Sequence, residues 1–290
     1  MERIEGRVPF AGVARKRAVA CHGPMILSAT MPPPIAVALL TGVLVPPAVA
    51  LAAFRRRLAR AVPEPSRWPR VAVVSSCKGA DPMMAANAAT LLAQDYPGER
   101  EAVFVVPVRS DPAFAALSGL AGARLVVSDA DPRRASEQNE NLLFALRALG
   151  PGPEVLVFAD ADQRVRPDWL RRLVAALLEE GVGVSTAPAV FIPEGAGAAG
   201  ALRHAWVAYG LPFMAALGWS SGQSQAVRRA DFDAWGAAGL WGRTINMDLT
   251  LSALARRAGR RVVHVPRAAP LWHEPCSWGQ VFGPGCGTLG

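Results

Sequence analysis

The sequence predicts an α/β domain with a mostly parallel sheet, covered by helices on both faces and preceded by one membrane-crossing helix. Two observations predict the domain. From Arg70 onward, short valine-rich runs alternate with stretches of helical apolar period, the pattern of strands joined by crossover helices. The 290 residues are 51% hydrophobic, enough to bury one sizeable core. A third observation predicts the preceding helix: Ile35 to Phe54 reads IAVALLTGVLVPPAVALAAF, without a single charge.

The elements follow in order. Residues 1–30, basic around Arg15, Lys16 and Arg17, are expected to be an unstructured extension, and Met31 offers a second start for the chain. Residues 31–56 are expected to form a transmembrane anchor. About twenty apolar residues at ~1.5 Å each span a hydrocarbon core of about 30 Å. Pro46 and Pro47 interrupt the run, and Arg55, Arg56, Arg57 and Arg60 follow it. The positive-inside rule then puts everything downstream in the cytoplasm, although the basic extension pulls the other way. A signal peptide would carry its charge before a shorter apolar core. The expected location is therefore a membrane, of the bacterial inner-membrane kind, crossed once or more, with the catalytic domain cytoplasmic.

Residues 57–69, including PEPSRWP, read as a linker. The domain occupies residues 70–282. It opens with RVAVVSS as a strand, a helix from Asp81 to Gln94, EAVFVVPV as a strand and a short helix from Asp111 to Leu120. ARLVVS, a helix from Ser136 to Leu149, EVLVFA and a helix from Pro167 to Glu180 continue the alternation. Gly197 to Trp219 is apolar and aromatic, and suits either an interfacial helix or a buried one. Ser220 to Phe232 reads as a strand followed by a helix start, and residues 283–290, GPGCGTLG, as an irregular tail.

Composition excludes several functions. The net charge of +8 comes from arginines spread along the chain, with no aromatic-basic module, so nucleic acid is not an expected partner. Cys21, Cys77, Cys276 and Cys286 form no CxxC pair and outline neither a disulfide framework nor a zinc site. His264, His273 and Cys276 match no common zinc spacing either.

The chemistry concentrates in EVLVFADADQRVRPDW, residues 154–169, where Asp160 and Asp162 follow a buried strand. Open parallel sheets bind ligands at the carboxyl ends of their strands. Three readings stay open for the motif itself. The two aspartates could cap a turn before the helix at Pro167. They resemble the Asp-x-Asp of haloacid-dehalogenase phosphatases, although here Gln163 and Arg164 follow instead of threonine or valine. Or they hold a divalent cation on the diphosphate of a nucleotide sugar, since Mg²⁺ and Mn²⁺ prefer carboxylate oxygens. Lys78, the only lysine besides Lys16, sits in SSCKGADP at the end of the first strand, where an ammonium beside a glycine turn suits phosphate contact or an exposed loop.

The segment CKGADPMMAANAATLLAQDYPGEREAVFVVPVRSDPAFAAL resembles the opening of the ceramide glucosyltransferase-like branch of glycosyltransferase family 2, a family 21-like enzyme. In that branch a Lys-Gly-x-Asp-Pro segment, a helix ending in Asp-Tyr-Pro, a strand and an Asp-Pro-Ala segment follow in this order. The resemblance runs from about Arg70 to about Trp278. It implies a GT-A, nucleotide-diphospho-sugar transferase fold. It also implies an inverting, metal-dependent transfer of a glucose-type sugar from a UDP-sugar to a membrane lipid hydroxyl, with Mg²⁺ or Mn²⁺.

The resemblance also implies roles. Asp111 in RSDPA contacts the donor nucleotide, as do Lys78, Gln138, Asn141 and Asp160. Asp160 and Asp162 bind the metal, and Asp248 in TINMDLTLSALARRAGRRV is the catalytic base that takes the acceptor's proton. Asp248 also suits a helix N-cap. Gln223, Ser224 and Arg228 in SSGQSQAVRRADF lie on the acceptor side.

Three departures from the family pattern stand out. EQNENLL has Asn139 where a lysine is usual, Met247 replaces a glutamate beside Asp248, and GPGCGTLG stands where a Gln-x-x-Arg-Trp segment is expected. The last departure suggests C-terminal truncation. It keeps two alternatives in view, a catalytically silent nucleotide-sugar-binding remnant and a polysaccharide synthase of the same superfamily.

Overall fold

The computed structural model describes residues 33–128 and 135–282, with side chains from residue 45 onward. The extension expected at 1–30 and the tail expected at 283–290 lie outside the described residues. The chain divides into two units, Met1–Val43 and Leu44–Gly290. In the first, residues 33–43 are helical. They begin helix α1 (Pro33–Ala59), which keeps Pro46 and Pro47 in its interior. This helix runs past the expected anchor boundary at 56, because its last turn takes Arg56 and Arg57, whose charges complement a helix C-terminus. The linker is correspondingly shorter than expected. Among the described residues, no helix is long and apolar enough to cross a membrane.

The second unit carries strands β1 (Val71–Ser76), β2 (Arg100–Val106), β3 (Ala123–Val127), β4 (Val155–Ala159) and β5 (Val182–Thr186). It continues with β6 (Val190–Glu194), β7 (Ser224–Arg228), β8 (Arg261–His264) and β9 (Leu271–Pro275). Its helices are α2 (Met84–Leu92), α3 (Pro112–Leu117), α4 (Glu137–Leu149), α5 (Trp169–Leu177) and α6 (Ala198–Leu217). After these come α7 (Arg229–Ala234), α8 (Ala237–Trp241), α9 (Met247–Arg257) and α10 (Trp278–Phe282).

Seven strands form one sheet in the order β3-β2-β1-β4-β7-β5-β8. All neighbours are parallel except β7, which runs antiparallel between β4 and β5. Every residue of β4 and β5 is buried, as continuous apolar runs covered on both faces should be. Alternate side chains of β1 serve two cores. Val71 and Val73 pack with residues of α2, α3 and α5. Ala72 and Val74 pack with residues of α4, α8 and α9. Helix α5 shows why the fold holds: Trp169, Leu170, Leu173, Val174 and Leu177 are all fully buried on its inner face. Each such side chain contributes about 1.5–3 kcal/mol of burial free energy before the entropy of ordering is counted.

Strands β6 and β9 pair in a separate two-stranded parallel sheet, against which α6 lies. Arg203 of α6 is buried between the rings of Phe191 and Trp272, 4.6 and 4.5 Å from their centroids, and is ion-paired with Glu274 at 2.9 Å. The direction of the strands gathers the chain ends that matter. The carboxyl ends of β1, β2, β4 and β5, and the start of antiparallel β7, share one rim of the large sheet.

Candidate active site

The rim begins at β1. Gly79 turns the chain at φ +82°, a backbone angle that favours glycine, directly after Lys78. Asp111 fixes this turn from the next loop: its Oδ1 accepts the Gly79 N–H at 2.8 Å and the Ala113 N–H at 2.9 Å. The second bond makes Asp111 the N-cap of α3, with Pro112 at the first helical position, so RSDPA is a helix start as well as a clamp on the β1 loop. The Lys78 ammonium is paired with Glu137 at 2.9 Å, in the first turn of α4.

Helix α4 brings the next side chains, and its 100° step per residue separates their fates. Gln138 Nε2 donates to Asp160 Oδ1 at 3.1 Å, on the site side. Asn141 is buried and accepts from Ser128 Oγ while its Nδ2 donates to Ser76 Oγ at 3.3 Å, joining the ends of β3 and β1. Asn139, where the family resemblance leads one to expect lysine, points away from the rim. Its Nδ2 donates to the Trp241 and Thr244 carbonyls at 3.2 and 2.7 Å. This substitution therefore locks α4 to the segment around α8.

Asp160 closes β4 and is 7% exposed. Burial pushes its carboxyl up to about 7, and the nearby Asp162 and Asp248 charges add to the effect. Besides Gln138, Gln163 Nε2 approaches its Oδ2 at 3.5 Å. Asp162 is also held above the ordinary carboxylate range, first by burial and then by Asp81 and Glu274. Its Oδ1 is buried without a hydrogen-bond partner. A buried carboxylate oxygen with no donor, in a corner of like charges, is costly unless a cation joins it. Oxygen donors of this kind are what Mg²⁺ and Mn²⁺ prefer, so the residues present fit a divalent metal.

Across the rim, the loop before β7 ties Asp248 to Asp160. The Asp160 N–H donates to the Gln223 carbonyl at 3.3 Å, and the Gly222 N–H donates to Asp248 Oδ2 at 2.9 Å. The Gln223 side chain accepts from the Ala189 N–H at 3.0 Å, bracing the same loop. A Cβ on Gly222 would meet the flexible end of Met247, its Cε, at 2.7 Å, so the loop packs closely on the start of α9. Asp248 is in the first turn of α9 but is not its cap. Asn246 takes the cap, accepting the Leu249 N–H at 2.9 Å, while Asp248 Oδ1 accepts the same N–H at 2.8 Å and its Oδ2 faces the loop.

Two expected acceptor-side residues are not brought to this cluster. Ser224 is fully buried, its Oγ accepting from Trp169 Nε1 at 2.8 Å. Arg228 lies opposite Val155, at the other end of β4, and its guanidinium donates to the Leu177 and Val182 carbonyls. Because β7 is antiparallel, successive residues of SQAVR lead away from the rim, and four residues at about 3.4 Å carry Arg228 to the far end of the sheet. Conversely, Gln163, Asp81, Glu274 and Gly222 belong to the neighbourhood and were not singled out. Gln163 and Gly222 were visible within quoted motifs, whereas nothing local marks Glu274, which is brought towards Asp162 by the bridge between Leu271 of β9 and Arg164, two residues after Asp162.

The comparisons agree with this geometry. The model of the family described as glycosyl transferase family 21 matches residues 36–283. Among solved structures, the mannosyltransferase PcManGT from Pyrobaculum calidifontis, in complex with GDP-Man and Mn²⁺, is similar with TM-score 0.58 at 20% identity. The match covers 82% of this chain and 67% of that one. TarS 1–349 from S. aureus is similar with TM-score 0.51 at 13% identity, over 71% of this chain and 60% of that one. The chain thus spans about three fifths of that relative. No curated protein matches the chain in sequence. A family match over most of the chain, on a GT-A sheet with its acidic rim, shows that this chain belongs to glycosyltransferase family 21 and is a glycosyltransferase of the GT-A fold.

Proposed function

We propose that the protein is an inverting transferase that moves a glucose-type sugar from a UDP-sugar to a lipid hydroxyl, with Mg²⁺ or Mn²⁺ at Asp160 and Asp162. One observation carries the reading: three carboxylates, those of Asp160, Asp162 and Asp248, meet at one rim, and one buried oxygen among them lacks a partner. The bound metal would neutralise charge on the departing diphosphate. Gln138 and Gln163 orient the Asp160 oxygens, while Lys78 and the Asp111-fixed turn at Gly79 border the nucleotide end of the donor site. Asn141 supports this end from behind by holding β1 to β3.

Asp248 takes the proton from the acceptor hydroxyl as that oxygen attacks the anomeric carbon from the face opposite the diphosphate. Its bond to the Gly222 N–H aims it from the acceptor side, with Gln223 bracing the loop. Known GT-A relatives of similar fold were solved with GDP-Man and Mn²⁺ and with UDP-GlcNAc, which supports a nucleotide-sugar donor and a divalent ion. Helix α6 supports a lipid acceptor. Trp206 is 73% and Tyr209 56% exposed, and Leu202 and Leu217 extend the same stripe, as on a helix lying at a membrane surface. In this reading the uncharged run from Ile35 to Phe54 in α1 associates with the membrane and the catalytic unit lies on its cytoplasmic side.

The test is transfer from UDP-glucose with Mn²⁺, in neutral detergent, to ceramide, diacylglycerol, hopanoid and polyprenyl acceptors offered in turn. The expected product carries the anomeric configuration opposite to the donor's, read from its proton coupling. A retained configuration contradicts Asp248 as base. UDP binding without transfer to any acceptor contradicts the enzyme reading and leaves a binding remnant.

A further inference from the structure

A cavity of about 420 Å³ in the second unit does not adjoin the acidic rim. It lies at the β8 edge of the sheet, between the end of α1, the end of α6 and the segment from Arg260 to Arg267. Seven arginines line it, against a single glutamate, Glu179. Two of the seven are paired with carboxylates, Arg60 with Glu179 and Arg172 with Asp168. The others have no carboxylate partner among the described residues. Arg57, Arg256, Arg261 and Arg267 donate to the backbone carbonyls of Ala215, Leu217, Glu180 and Leu58, and the Arg260 side chain has no bonded partner among the described residues.

Carbonyl bonds orient a guanidinium without cancelling its charge, so the lining keeps a net positive charge. Arg256, Arg260, Arg261 and Arg267 are exposed to solvent, and their combined field draws anions to the cavity. His264, 3% exposed, also lines the cavity, but burial and the nearby Arg57 charge lower it to about 4, so the ring is neutral and its Nε2–H donates to the Trp219 carbonyl at 2.6 Å; the positive charge of the lining comes from the arginines alone. The cavity's volume falls in the range of small-molecule sites, about 300–1,000 Å³.

We infer that this cavity is a binding site for a phosphate-ester anion, either the headgroup of an anionic phospholipid or a soluble phosphate ester of the same chemistry. Bidentate guanidinium groups suit phosphate oxygens. The lipid source fits the position, since the cavity takes its walls from the last turns of α1 and α6, and α6 carries the exposed Trp206 and Tyr209 stripe.

The experiment titrates the full chain, in neutral detergent, with dioctanoyl phosphatidylglycerol, dioctanoyl phosphatidylcholine and glycerol phosphate, following the thermal midpoint and tryptophan fluorescence. Two variants remove equal charge. Arg260→Gln/Arg261→Gln acts at the cavity, and Arg100→Gln/Arg124→Gln acts on β2 and β3 towards the opposite edge of the sheet. At about fivefold per arginine, the cavity variant is expected to weaken phosphatidylglycerol binding by about thirtyfold and the distant one by less than about threefold. Phosphatidylglycerol binding at least about tenfold tighter than glycerol phosphate assigns the site to lipid, and equal affinities assign it to soluble esters. Equal losses in both variants, equal binding of the zwitterionic lipid, or no saturable binding overturns the inference. Should the double variant fail to fold, Arg260→Gln alone, at a side chain with no bonded partner, repeats the comparison with an expected loss of about fivefold.

Discussion

The acidic rim and the arginine-lined cavity are opposite answers to the same problem, how a fold holds charge that its own residues do not cancel. At the rim, Asp160 is buried with amide partners and pushed up to about 7, and half-buried Asp162 keeps one buried oxygen without a partner among the described residues. At the cavity, guanidinium groups that cannot lose their protons are aimed by backbone carbonyls instead. Carboxylates can relieve their crowding by taking up protons, and arginines cannot. The rim should therefore respond to pH and metal, and the cavity to anions and salt.

The largest expected effect is at Asp248. Replacing it with asparagine keeps the shape and the Gly222 contact while removing the base, and should lower turnover by about 10²–10⁴-fold. UDP affinity should change by less than about threefold, since the metal clamp is untouched. A loss of UDP binding as large as the loss of turnover would move Asp248 from the acceptor side to the donor side.

The second effect is on stability. The Asp160 carboxyl lies near 7 in the folded chain against an ordinary 3.8, so between these values the folded state holds a proton that the unfolded state releases. Stability from this group is fully present below about pH 4 and is lost as pH rises through about 7. Without metal, Asp160→Asn should therefore be more stable than the parent at pH 8, by on the order of 2–4 kcal/mol, and nearly equal to it at pH 4. Denaturant midpoints at the two pH values measure this, and a variant less stable at pH 8 would show that the corner is not strained.

Smaller effects follow from packing. Asn139→Ala leaves the Trp241 and Thr244 carbonyls without their donor and should cost about 1–3 kcal/mol with UDP affinity unchanged. If instead Asn139→Lys raised donor affinity, Asn139 would belong to the site after all. Gly222→Ala sets a methyl against the movable Cε end of Met247 and at ordinary contact distance from Asp248, and should cost less than about 1 kcal/mol of stability with turnover nearly unchanged. Both are read by chemical denaturation alongside UDP titration.

How much of this was legible depended on sequence distance. The four opening strands and their helices were readable because each is a continuous apolar run or a helical-period stretch, and the rim followed because parallel strands end together. The antiparallel placement of β7 was not readable, and that one reversal moves Arg228 to the far end of β4. Ser224 was misread for a related reason: its small polar side chain looks available, but the indole of Trp169, fifty-five residues earlier, claims it. Glu274 was not readable as a neighbour of Asp162, because the bridge that joins β9 to Arg164 links residues more than a hundred apart in sequence. The cavity was the least legible feature, because its arginines come from the end of α1 and from the end of the domain.

The central claim is that Asp160 and Asp162 hold a divalent ion on the donor diphosphate. UDP titration with and without Mn²⁺, on the parent chain and on Asp162→Asn, tests it most directly. The account predicts that Mn²⁺ tightens UDP binding to the parent by at least about tenfold, and that the variant loses this gain while keeping its metal-free UDP affinity. Tight UDP binding that ignores Mn²⁺ in the parent, or a Mn²⁺ gain that survives in Asp162→Asn, would contradict it.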